Sequence, residues 1–213
     1  MFISYQKKFS VIIFVISIIV FNSAFAGLEK ETITPAEKLY FLINKNSDMR
    51  ANFTQTSVSS SGSERRSNGT ILLKKPNYFK WQVNSPSQLI ISNGHKLWNY
   101  NKDLEQVVIQ PVPQKISQAP YLLLLAGHIS SLKNLFNIKE LDHGYFYLTP
   151  KDTKGSIIEY INIYFKKDKL VGLKIKTVMN QINIFSFTKQ TYDKISPNQF
   201  EFTIPKGVDI LGG

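Results

Sequence analysis

Cysteine is absent from the whole chain. That excludes disulfide stapling, and it removes the thiolates that structural zinc sites favour. Histidine is scarce, and His95, His128 and His143 lie far apart, two of them beside glycines in turn-like sequence. No H-E-x-x-H, no G-x-S-x-G and no phosphate-cradling glycine loop occurs. Glu105 and Glu159 fall on separate strands and would pair only by accident of folding. The signatures of metal-dependent, nucleophilic and phosphoryl chemistry are all missing. The chain therefore reads as a non-enzyme, with no catalytic residue, no metal ligand and no cofactor assigned.

Long apolar runs are also lacking, with one exception. Val11 to Phe21 is apolar apart from Ser17, is preceded by Lys7 and Lys8, and is followed by Ala24-Phe25-Ala26. A positive start, a short apolar stretch and small residues at the two positions before a cut make a secretory signal, removed after Ala26. The run falls short of the ~20 residues a membrane-spanning helix needs. The expected organisation is a cleaved signal over residues 1–26 and one exported domain over residues 27–213. In the place where a bacterial lipoprotein carries its acylated cysteine stands Gly27, so the exported domain bears no lipid of its own.

Acidic residues are few: 15 Asp and Glu face 26 Lys and Arg, a formal charge of +11. Without Lys7 and Lys8 the exported part still holds +9. Nucleic acid is not the counterpart for an exported domain; anionic membrane surfaces and acidic protein faces are. The lysines are spread along strands, as in LLKK and GLKIK, in the way of solvated outer faces.

The remaining sequence is mostly strand. Thr34-Pro35-Ala36-Glu37 predicts a helix start, with an N-cap threonine, proline at N1 and a capping-box glutamate. Leu39, Leu42 and Ile43 continue at helical spacing until Asn44 to Ser47. From Met49 the period becomes two, interrupted by a polar stretch, SVSSSGSERRSNG, that reads as an exposed loop. A meander follows through Ile71, Phe79, Gln88, the Asn93-Gly94 hairpin turn, Leu97 to Tyr100, and Leu104 to Gln110. Pro111 and Pro113 end that run. A short helix is predicted over Ser117 to Gly127 and another turn over Ser130 to Phe136. Strands resume at Ile138–Leu141, Tyr145–Leu148, Ile157–Phe165, Leu170–Val178, Ile182–Thr188 and Phe200–Ile204. About eleven antiparallel strands with a few helices predict a mainly β fold. The simplest arrangement is one curved sheet wrapped toward an unclosed barrel, with a helical lid over an apolar cavity.

Two segments stand out from ordinary strand sequence. LLKKPNYFKW (72–81) places large aromatics on a strand leaving a Lys-Lys-Pro corner. Tyr121-Leu122-Leu123-Leu124-Leu125 puts four leucines in a row, which cover more than one helical face. Such a helix either plugs a core or covers an apolar hollow. These segments resemble the LolA family of periplasmic outer-membrane lipoprotein carriers. The likeness extends through Phe53-Thr54-Gln55, Gly69, Asn93 to Asn101, Asp103 to Val107, Pro120 to Leu124, Leu148 to Lys151 and Phe202 to Val208, in family order.

The resemblance implies an unclosed barrel with a helical lid and a role as chaperone. Its cargo would be acylated lipoproteins, taken from the inner-membrane LolCDE complex and handed to the outer-membrane receptor LolB by a monomeric periplasmic carrier. By the same resemblance Phe79 and Trp81 face the cargo cavity and Tyr121 to Leu125 form the lid. Ile161, Ile163 and Phe165 are candidate cavity wall, with core packing as the competing explanation, and Trp98 reads as packing. Family members often carry an arginine latch before the corner proline. Here Lys75 stands there, a donor without the planar fork of a guanidinium. The alternative reading is a periplasmic lipid-sensing regulatory domain of the same fold.

Overall fold

A computed structural model describes residues 33–45, 47–112 and 132–212. The sheet and its helices belong to one compact unit, Ile33–Gly213. The first helix, α1 (Pro35–Asn44), starts as its sequence dictates: the Glu37 amide donates to Thr34 Oγ1 at 3.3 Å, and the Thr34 amide donates to Glu37 Oε2 at 2.9 Å. Its buried stripe is Leu39, Leu42 and Ile43.

Among the described residues twelve strands form a single sheet: β1 (Asp48–Val58), β2 (Glu64–Lys74), β3 (Tyr78–Val83), β4 (Gln88–Asn93), β5 (Lys96–Asn101), β6 (Gln106–Pro111), β7 (Phe136–Asp142), β8 (Tyr145–Pro150), β9 (Ile158–Lys166), β10 (Lys169–Thr177), β11 (Ile182–Thr191) and β12 (Asp209–Gly212). The spatial order is β12-β6-β5-β4-β3-β2-β1-β11-β10-β9-β8-β7. Two meanders, β1 to β6 and β7 to β11, are joined where β1 pairs antiparallel with β11. The expected mainly β, unclosed sheet is what forms, with β7 and β12 as its two edges.

Three local expectations are corrected. The polar stretch after β1 is largely strand: β1 and β2 stay in register out to Val58↔Glu64, and only Ser59 to Ser63 turn. Strand pairing tolerates Ser and Arg there because the backbone bonds, not apolar burial, hold a hairpin tip. Phe200–Ile204 is not a strand. Pro197–Phe200 is a 3-10 turn, and the last strand is Asp209–Gly212, parallel to β6. A second helix, α2 (Leu132–Leu135), ends one residue earlier than expected because Phe136 already pairs with Pro150 in β7.

The inner, concave face carries the main core. It runs from Leu39 and Leu42 of α1 through Phe53, Ile71, Phe79 and Trp81 to Phe146, Ile161, Ile163, Leu173 and Phe185. A second, smaller core lies on the opposite face of β4 to β6, built on Ile91, Trp98 and Val107. The chain after β11 covers it. The Ile195 amide donates to Asp48 Oδ2 at 2.6 Å on β1, and Phe200 packs edge-on against Tyr78 of β3 at 5.6 Å. Phe202 then lies 5.5 Å from Tyr100 and 6.4 Å from Trp98. Ile204 and Val208 complete the cover before β12 joins β6. This crossing segment is a strap over the outer face of one half of the sheet.

Candidate functional site

The inner face is apolar because alternate residues of every central strand point to it. On β3 these are Phe79 and Trp81, 1% and 2% exposed; on β9 they are Ile161, Ile163 and Phe165, all buried. All five belong to one continuous cluster. Trp81 is the centre of an aromatic group that crosses three strands: its ring lies 4.2 Å from Phe53 of β1 and 5.3 Å, edge-on, from Phe185 of β11. Gly69 of β2 makes this possible. A Cβ there would meet the Gln82 carbonyl oxygen at 1.8 Å and the Phe53 ring at 2.9 Å. A glycine inside a strand commonly marks such a close approach. Phe165 joins a second pair, 6.0 Å and perpendicular to Phe146.

Lys75 follows β2 at the corner before Pro76, and its backbone amide donates to the Ser47 carbonyl at 2.8 Å. Its ammonium donates to the Ile43 carbonyl in the last turn of α1. A cation at that position meets the negative end of the helix. Burial pushes the lysine down to about 8, and the nearby Asp48 carboxylate partly opposes that shift. Lys75 also lines a small cavity of about 40 Å³ with Leu42, Ile43, Met49, Leu73 and Phe165. The structure thus brings Phe165 and Lys75 together at one end of the inner face. Phe79, Trp81, Ile161 and Ile163 share its core without lining that cavity. Tyr121, Leu122, Leu123, Leu124 and Leu125 lie outside the described residues.

A more open groove of about 410 Å³ lies between α1, α2 and β7, lined by Ala36, Tyr40, Leu132 and Ile138 with Glu37 and Lys133 at its rim. Among the described residues no three His, Asp or Glu side chains gather where a cation could be held. Such an arrangement stores apolar surface beside a lysine.

Phe53 and Phe185 were not foreseen as partners of Trp81, nor Gly69 as the gap that lets them meet. A signal was present, since Phe53 and Phe185 alternate on their strands and a lone glycine interrupts β2. Asp48 was not foreseen either. Its burial opposes ionisation, but the Ile195 amide, Ser47 and Lys74 outweigh that and hold its carboxyl below the usual carboxylate range.

Comparison with known proteins agrees with this architecture. The family described as "Outer membrane lipoprotein carrier protein LolA" matches residues 44–203. A protein of Francisella philomiragia named outer-membrane lipoprotein carrier protein is 36% identical over 195 residues, 89% of this chain and 91% of that one. A protein of the same name from Pseudomonas paraeruginosa is 35% identical over 181 residues, 82% of this chain and 86% of that one. Among solved structures, an uncharacterised conserved protein from Thermus thermophilus superposes with a TM-score of 0.52 at 11% identity, covering 84% of this chain and 99% of that one, a likeness of fold alone. With the family matched over three quarters of its length and relatives this similar over most of it, the chain belongs to the LolA family of outer-membrane lipoprotein carrier proteins.

Proposed function

We propose that this protein carries acylated lipoproteins through the periplasm. It would take them from the inner-membrane LolCDE complex and hand them to the receptor LolB, sheltering their acyl chains against the inner face. The observation that carries the reading is the continuous apolar inner face of an unclosed sheet in a chain of this family. One acyl chain of ~14 carbons in water costs on the order of 10 kcal/mol, so unaided transit would be far too slow. Phe79, Trp81, Ile161, Ile163 and Phe165 serve as the wall of the acyl site, and Tyr121 to Leu125 serve as its cover. No catalysis is needed for that role. Export follows from the signal over residues 1–26, cut after Ala26.

The cavity beside Lys75 is too small for an acyl chain, because close-packed interiors leave no spare room of that size. At that end the described residues are therefore closed, and loading there requires α1 to part from the sheet. Lys75, bound to the end of α1, acts as a latch for this closed state. The test is depletion in cells followed by membrane fractionation. Outer-membrane lipoproteins should accumulate in the inner membrane, and normal sorting would end the proposal. If depletion causes missorting and Lys75→Ala rescues it as well as the wild-type chain does, the carrier reading stands and the latch is dropped.

A further inference from the structure

The positive charge is not spread evenly over the sheet. At the end where β9 turns into β10, Lys166 and Lys169 face each other as register partners with Lys167 between them, and all three are exposed. Gln190 donates to the Leu170 carbonyl, which sets the exposed Lys189 beside the same turn. Lys194 follows on the same segment, next to the exposed Asp193, and Asp142 is exposed in the neighbouring β7–β8 turn, so lysines outnumber the acids at this end. The acid within the turn, Asp168, is paired with Lys45, the residue just past α1, at 2.7 Å. Lys169 Nζ also lies 5.8 Å over the Tyr192 ring. At the opposite end of the sheet the signs alternate: Glu64 stands beside Arg65 and Arg66, Asp152 between Lys151 and Lys154, and Lys176 is bonded to Glu159.

We propose that the lysine cluster at the β9–β10 turn, with Lys189 and Lys194, docks the protein on an anionic phospholipid bilayer. The five cations of the turn and its neighbouring segment are lysines, with Arg50 of β1 across from Thr191 between Lys189 and Lys194, and lysine is a hydrated point charge suited to a diffuse negative surface. Protein interfaces deplete lysine and are anchored by exposed aromatics that become buried, whereas the ring in this cluster, Tyr192, is half-buried beneath Lys169. The turn also borders the inner face. Asp168, Leu170 and Tyr192 line the small cavity together with Lys75. Docking by this end brings the mouth of the proposed acyl site to the lipid headgroups. That purpose rests on the carrier reading, but the docking itself needs no cargo.

The experiment is cosedimentation of the chain from Gly27 onward with vesicles of mixed phosphatidylglycerol and phosphatidylcholine, and with pure phosphatidylcholine. Binding is expected to the mixed vesicles alone, and to fall steeply as salt shortens the reach of surface charge. Lys166→Glu, Lys167→Glu and Lys169→Glu together should weaken partitioning at least ~10-fold, as neighbouring lysines each add to the attraction. The same reversal at Lys102, Lys151 and Lys154 should change it less than about twofold. Equal loss from both sets would mean net charge alone is responsible, and equal binding to neutral vesicles would remove the electrostatic basis; either overturns the proposal. So would intact vesicle binding in the triple variant alongside a lost association with purified LolB, which would assign the cluster to a protein. Because no cargo is present, normal lipoprotein sorting after depletion would sink the carrier reading while leaving this result standing.

Discussion

The outer face of the sheet differs between its two meanders. Over β4 to β6 it is apolar, with Ile91, Trp98 and Val107 buried, and the strap from Ile195 to Val208 covers it. Over β8 to β10 it is tyrosine and lysine. Tyr145 stacks on Tyr164 at 4.6 Å, Tyr147 lies 5.5 Å from Tyr160, and Lys174 sits 5.7 Å from the Tyr160 ring. Burial first, and then the hydrogen bond to Tyr164, push Tyr145 up to about 12, so its hydroxyl stays protonated. Tyrosine rings keep water off the strand backbone while their polar ends stay wet. One meander needs a second layer, and the other supplies its own. The strap is therefore structural for the first half and irrelevant to the second.

The sharpest break of this comparison is Phe200→Ala. Phe200 is fully buried at the point where the strap crosses β3 and β4. Losing a buried phenylalanine costs about 3–5 kcal/mol when the site cannot collapse. Urea denaturation should show that loss. Hydrogen exchange should show faster opening in β4 to β6 than in β8 to β10. Uniform acceleration across the sheet would mean that the two halves do not differ in how they are held.

Asp48 is the anchor at the other end of the strap, and its effect should be smaller. It is 3% exposed and also contacts Lys74 at 3.3 Å, whose side chain reaches water. Asp48→Asn should cost about 2–3 kcal/mol, at or below the low end for breaking a buried pair, because Lys74 can rehydrate. Its folded carboxyl titrates below its ordinary value. The unfolded chain thus binds this proton more readily, so the stabilisation is fully present above about pH 4 and is lost as pH falls through the folded pKa. The stability difference between wild type and Asp48→Asn should shrink over that acid range. A difference that stays flat would mean the carboxylate charge does not hold the strap.

The contrast also explains what was legible in the sequence. Period-two alternation located the strands of both meanders, and the capping box gave α1, because these signals are local. Phe79 and Trp81 were read as facing inward from the family resemblance, and Ile161, Ile163 and Phe165 from their alternation along one strand. Three kinds of information were not local. Phe202 and Ile204 alternate like a strand, yet they cover Trp98 and Tyr100 as a strap, since only the folded sheet exposes the apolar patch they meet. Parallel pairing of β12 with β6 follows from that crossing and has no hairpin signal. Gly69 is informative only once the Phe53 ring and the Gln82 carbonyl stand on either side of it.

The smallest effect is expected on the uncovered half. Lys176 and Glu159 pair at 2.9 Å on the outer side of β9 and β10, exposed enough for water to replace either partner. Solvent screening and the entropy of holding two long side chains cancel most of such a pair's attraction. Lys176→Ala should therefore leave the urea midpoint unchanged within error, at low and at high salt. A loss approaching that of Phe200→Ala would show that the tyrosine face is held by its ion pairs and behaves as a covered layer. If the loss is absent, the second meander is stabilised from its inner face alone, by Phe146, Ile161, Ile163 and Leu173. Its outer tyrosines and lysines can then be changed without weakening the fold.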